Sequence, residues 1–341
     1  MPKPVARLTR PAEMVASLPL QLGYIPEESL VVLCCHEPRG RVGLTMRIDL
    51  PDPSLEEHLV EEIEARVRDQ DATRVLLVIY TDEEPFAELP RAALAKAFRE
   101  VFSDLIVTDV LLVHRGLFWS YLCSNPVCCP AEGTPVDDAR DTAVISLIET
   151  EQVLSGRAVL PSRADLSASL QGPQLFAATV AEQRCEQATA SIELAARTSG
   201  LTAVAEGALA RWKAALSAAL DGTMPGDHEA AFLAVSLYDV DVRDALAAES
   251  ERRAPALPAL LGDLCRRTPD AFAAPVCGLL AWVTYCRGGG TEVSIAIERA
   301  LRCDPNYNLA KILFSALVGQ LPPETLRKAA QAARMRLPKA G

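Results

Sequence analysis

Hydrophobic and polar positions follow two different rhythms along this chain. In the first third, short runs rich in Val, Ile, Leu and aromatic residues predict strands at 29–36, 41–50, 74–80, 107–114 and 117–123. Amphipathic helical spacing separates some of them, at 54–70 and 89–102. The first of these helices opens on Ser54 with Glu57 three residues later, the signature of a capping box. The order is therefore ββαβαββ. Arg39-Gly40 and Arg115-Gly116 mark tight turns that make the outer strand pairs hairpins. The strand–helix–strand units between them imply parallel pairing with right-handed crossovers. The expectation is a mixed α/β sheet whose strand order the pattern leaves open.

After Asp137 the strand signal fades. A helix is expected over 137–154 and a loop through 160–163. From 173 to 336 the chain is a series of alanine- and leucine-rich helices. Glycine and proline break the series near 198–200, 222–226, 254–258, 268–269, 288–290, 304–305 and 322–323. An α/β domain over 1–165 followed by an all-α helical-hairpin domain over 166–341 is the organisation this pattern predicts. Within the helical domain, the stretch from Gly288 to Tyr307 is similar to the second helix of a tetratricopeptide unit, with the helix before it as partner, a hairpin near 273–305. No second clear copy follows at the expected period, so a single such hairpin inside a compact bundle is expected, not a solenoid.

Composition narrows the classes. A chain of 341 residues, half of them apolar, has enough material for two sizeable cores. With 34 basic and 45 acidic side chains the net charge is −11, which opposes non-specific attraction to nucleic-acid phosphates. No segment offers eighteen uninterrupted apolar residues, and the basic N-terminus leads into no apolar stretch, so a cytoplasmic protein away from the membrane is expected. No nucleotide-binding loop, zinc-hydrolase helix or nucleophile elbow is present.

Two groups of residues carry candidate chemistry. The carboxyl ends of the central strands would present Arg47, Asp49, Tyr80, Asp82 and His114, where open α/β sheets place ligands. Asp49 or Asp82 would serve as acid/base or metal ligand, Arg47 as an anion clamp, and Tyr80 or His114 as proton donor. The bland alternative is a surface pair at Arg47 and Asp49, a core tyrosine and a turn histidine. The second group is Cys123, Cys128 and Cys129, three of the ten cysteines, beside Asn125-Pro126. Structural thiols, a redox-sensitive pair and a metal site all remain open for it. Zinc usually takes four ligands, and this run supplies three. Cys34, Cys35 and His36 emerge at the same end of the sheet, yet sequence-ordered strands would hold them four spacings away, about 19 Å. Cys185, Cys265, Cys277, Cys286 and Cys303 stand singly in helical patterns, where cysteine behaves as a small buried hydrophobe.

Several segments, in order, carry a family resemblance: the opening from Pro11 to Val32, Arg47-Ile48-Asp49-Leu50-Pro51, Trp119 to Cys123 with Cys128-Cys129-Pro130, and Asp304-Pro305-Asn306-Tyr307. Together they resemble the actinobacterial domain of unknown function family 4192, nearly end to end. The resemblance implies a bacterial cytoplasmic protein and no particular activity. Two functions follow from the residues: a non-enzymatic interaction or regulatory protein whose helical hairpins engage a protein partner, or an enzyme or small-molecule sensor working at the carboxyl edge of the sheet.

Overall fold

A strand whose every side chain is apolar needs cover on both faces, and one that alternates needs it on one. The run Ser29–His36 (β1), apolar between its two end residues, is of the first kind and Arg41–Asp49 (β2) of the second. The computed structural model, which describes residues 6–37, 40–86, 88–154, 158–249 and 256–328, places them accordingly. Its mixed six-stranded sheet has the order β2-β1-β3-β4-β5-β6, with β3 at Arg74–Tyr80, β4 at Ile106–His114, β5 at Leu117–Ser120 and β6 at Thr134–Pro135. β3 and β4 are parallel, and β1 and β5 run against them. The strand order departs from sequence order at one point. β1 lies between β2 and β3, so the connection from β2 to β3 passes over it, and the half-polar β2 takes the rim.

Three helices cover this sheet. Pro11–Leu22 (α1), which the strand-centred reading of the sequence did not assign, lays Val15 and Leu18 on Val31, Leu33, Val78 and Leu111. Its start is fixed by the Glu13 carboxylate, which accepts from the amides of Thr9 and Arg10 at 2.9 and 3.2 Å. Gly23 ends it with φ +83°, a left-handed conformation that glycine adopts without a Cβ clash. Glu56–Arg68 (α2) and Ala92–Val101 (α3) pack Ile63, Val67, Leu94 and Phe98 on the opposite face, against Val32, Leu77, Ile79 and Leu112. The expected capping box at Ser54 does not form. Asp52 instead accepts from the Ser54 amide at 3.0 Å and turns the chain through a short 3-10 segment, which delays the helix to Glu56. The helix expected over 137–154 is likewise shorter, running from Ala143 to Leu154 (α4) behind a 3-10 turn.

The described residues that follow form helices: Arg163–Ser169 (α5), Leu175–Ser199 (α6), Leu201–Leu220 (α7), Asp227–Ser236 (α8), Val240–Glu249 (α9), Ala256–Arg267 (α10), Asp270–Cys286 (α11), Thr291–Cys303 (α12) and Asn308–Val318 (α13). An additional break separates α8 from α9, where Asp239 Oδ1 accepts the Asp241 amide at 2.8 Å. Trp212, Leu260, Leu280 and Ile297 are among the side chains that fill the core. The hairpin of α11 and α12 turns at Gly288 and Gly289, the second lying against Thr284 where a Cβ would not fit. Arg299 of α12 is 3% exposed and donates to the carbonyls of Leu170, Cys265 and Thr268 at 2.6, 2.6 and 2.8 Å.

The chain divides into two compact units, 1–150 and 151–341. A division at 165/166 would cut α5, which belongs with the helices: Arg163 Nη2 donates to Glu298 of α12 at 3.1 Å. Arg39 of the first expected turn, residues 254–255 of one expected break and the helical reading over 329–336 lie outside the described residues. No helix among the described residues is long and apolar enough to cross a membrane.

Candidate functional site

The sheet brings the strand ends of the first candidate group to one edge, because Asp49 and Tyr80 both pair with Ser29 and Val113 pairs with Tyr80. Their side chains do different things there. Arg47 ion-pairs with Asp49, and its Nε donates to Ser29 Oγ at 3.1 Å. Asp49 is otherwise in solvent, its side chain 83% exposed. Tyr80 shares that face but is 5% exposed, beneath α1 among Val15 and Leu18, and its hydroxyl has no hydrogen-bond partner. Burial pushes its acidity far beyond the physiological range. Strand alternation puts His114 on the other face from Val113 and Tyr80. Its Nδ1 is 3.0 Å from the Thr81 carbonyl, which only accepts, so Nδ1 carries the proton in that contact. Nε2 lies 3.4 Å from Glu84, a carboxylate shared with Arg115. Asp82 is exposed, with its backbone amide held by Glu28.

The second group does converge. The sulfur atoms of Cys123, Cys128 and Cys129 all lie within 4.8 Å of one another, and those of Cys123 and Cys128 are 3.2 Å apart. All three residues are at least partly open to solvent. β5 stops at Ser120, short of the expected 123, because Ser120 Oγ accepts the amides of Leu122 and Cys123 at 3.0 and 3.1 Å and bends the chain away. That hydroxyl in turn donates to Asp109 Oδ1 at 2.7 Å. Asn125 shapes the next turn: its side chain accepts from Val127 at 3.0 Å, and its carbonyl accepts the amides of both Cys128 and Cys129, at 3.2 and 2.8 Å. Trp119 Nε1 donates to the Ala131 carbonyl at 3.0 Å, and its ring lies where a Cβ on Gly133 would be. The loop is thus tied at its entrance, its tip and its exit.

These bonds set the ionisation order. The Asn125 amide and the thiols of Cys128 and Cys129 donate towards Cys123 and hold its thiol below the usual range. Cys128 is raised because its S–H donates a hydrogen bond to Cys123, which favours keeping its proton. Burial pushes Cys129 up to about 12. Cys123 is therefore the first thiolate of the group. The pattern C-x4-C-C and the Asn125-Pro126 turn were visible in the sequence, whereas Asp109 and Ser120, which help position the loop, were not singled out as such. One signal was present: Asp109 is the lone carboxylate in a mostly apolar strand, and burial pushes its carboxyl up. Cys34 is buried in the core and Cys35 is half-buried. With β1 inside the sheet, three spacings separate it from β5, about 14 Å, so they remain outside bonding reach of the loop.

The family model for the domain of unknown function DUF4192 matches residues 11–324, and the chain belongs to that family. No curated protein and no solved structure matches it.

Proposed function

For this member of the DUF4192 family we propose a non-enzymatic regulatory and interaction role in the bacterial cytosol, with the three-cysteine loop as its working site. The observation that carries this reading is the convergence of three thiols on a loop held by its own hydrogen bonds, one of them favoured as thiolate. The carboxyl edge supports an enzyme or sensor less well. Arg47 and Asp49 neutralise each other, the Tyr80 hydroxyl is sealed under α1, and His114 sits on the opposite face.

The helical unit is the partner-binding element in this reading, with α11 and α12 as its tetratricopeptide-like hairpin. An apolar cavity of about 300 Å³ lies among α6, α7, α8 and α9, lined by Ile192, Val204, Ala208, Val235 and Val242. It has room for about two apolar side chains presented by a partner's helix, and the chain's net charge of −11 favours basic residues flanking them.

The test uses the full chain, tagged in its native host, to recover a partner that is then purified and titrated against it. Val204→Glu should weaken the complex at least tenfold, and alkylating the loop thiols should shift the affinity in wild type but not in Cys123→Ser. A partner indifferent to both changes, or a turnover that Arg47→Ala and His114→Gln abolish, would reject the reading in favour of the carboxyl edge.

A further inference from the structure

Sulfur atoms gathered on a surface loop repel one another once ionised, so a cluster of three either keeps its protons or acquires a positive charge. A disulfide would use two of these thiols, with sulfurs about 2.05 Å apart, and leave the third with no task. The third is what distinguishes this loop. Because Cys128 and Cys129 hang their amides on the same Asn125 carbonyl, the chain turns tightly enough for adjacent residues both to reach Cys123.

A metal ion bonded to three sulfurs at about 2.3 Å holds them roughly 3.8 to 4.0 Å apart. The present separations, from 3.2 Å up to at most 4.8 Å, bracket that value, so small side-chain rotations close the trio on an ion. The hydrogen bonds that tie the loop involve Asp109, Ser120, Asn125, Trp119 and Ala131, and of these only the long Cys128 Sγ–H contact to the Asn125 carbonyl, 3.6 Å, is given up with the thiol proton. A site already held in shape loses little freedom when it binds.

The donor set then selects the ion. Among the described residues no His, Cys, Asp or Glu joins these three as a fourth ligand. Sulfur-only sites favour Cu(I) and Zn(II) over the harder divalent ions. Zinc would keep a fourth position open to water, whereas monovalent copper is complete in a planar three-coordinate shell.

We propose that Cys123, Cys128 and Cys129 form a three-thiolate site for one Cu(I) ion. On binding, three S–H protons pass to solvent as three copper–sulfur bonds form, with no change in oxidation state. The inference rests on the loop being the working site, but not on any partner.

The test is an anaerobic titration of the reduced, untagged full chain with Cu(I) buffered by a chromophoric chelator, with Zn(II) titrated in parallel. One Cu(I) per chain should be retained, with three sulfur neighbours in X-ray absorption and at least a hundredfold loss of affinity in Cys123→Ser and in Cys128→Ser. Cys34→Ser and Cys303→Ser should bind as wild type does. Two results would overturn the site: copper binding that survives both loop variants, or retention of Zn(II) without Cu(I). Either would leave the partner titration with Val204→Glu unaffected, so the two proposals fail separately.

Discussion

Two groups of thiols in this molecule share an element and little else. Cys265 and Cys277 face each other across 3.7 Å, fully buried between α10 and α11, and their shared S–H bond with burial raises Cys265 far above the usual thiol range. Cys123 and Cys128 are closer, at 3.2 Å, but stand in solvent with a backbone amide directed at Cys123. In the first place a cysteine is volume, and ionising it would cost the desolvation of a charge. In the second it is a base, a nucleophile and a ligand. What separates them is the surrounding backbone: a helix interior in one case, a proline-stiffened loop with its amides turned inward in the other.

The contrast breaks most easily on reactivity. Alkylation of the native chain should modify Cys123 on the order of a thousandfold faster than Cys265 or Cys277, which react only when the helical core opens. Because the Cys123 thiol is lowered, its labelling should persist as pH falls below 9.0, the ordinary cysteine value, while Cys129, at about 12, lags behind. Peptide mass spectrometry at successive times reads both, and equal rates at the two sites would end the distinction.

Arg299 gives the largest expected change in stability. Arg299→Met leaves three buried carbonyls without a donor and should cost about 3 to 5 kcal/mol in a urea titration followed by circular dichroism. A cost below about 1 kcal/mol would mean that water replaces the guanidinium. The cysteines themselves sharpen the comparison on the same scale. Cys277→Ala should lose about 1 to 2 kcal/mol through its cavity, while Cys123→Ser should stay within about 0.5 kcal/mol.

A modest, pH-dependent effect concerns the sheet unit alone. Glu13→Gln removes a carboxylate that accepts two amides and the Arg10 guanidinium, for about 1 kcal/mol at neutral pH. Those bonds hold Glu13 below its ordinary value of 4.5, so the contribution is present above that pH and lost as pH falls through the lower folded value. Wild type and variant should therefore converge in acid, as thermal melts at pH 7 and pH 3 would register.

Most strands were legible because their apolar runs are long relative to their turns, and β1 and β3 match the expected bounds residue for residue. Strand order was written in the same residues. A run such as Ser29-Leu30-Val31-Val32-Leu33-Cys34, with no polar face, belongs in the interior of a doubly covered sheet, and Arg41, Thr45, Arg47 and Asp49 mark β2 as a rim strand. β6 gave no such signal, being two residues held by Leu117 and Phe118. Nor could spacing alone reveal that three cysteines meet. That required Ser120 and Asn125 to turn the chain at particular atoms, and side-chain-to-backbone bonds of this kind leave only a weak mark in a sequence. The carboxyl-edge residues illustrate the converse. Their strand ends were read to a common edge, but adjacent positions on a strand face opposite ways, and one step in alternation sends His114 away from Tyr80.

The guanidinium of Arg299 reaches a carbonyl 129 positions earlier, and that reach decides where the polypeptide can be divided. A fragment trimmed to the long helices, beginning at Leu175, would keep every large element of the second unit and still forfeit the Leu170 oxygen, one of the two carbonyls that Arg299 Nη1 serves inside the core. Whoever wishes to isolate that half for crystals or spectra should place the scissors upstream of Arg163 and carry the short helix along as an integral plug.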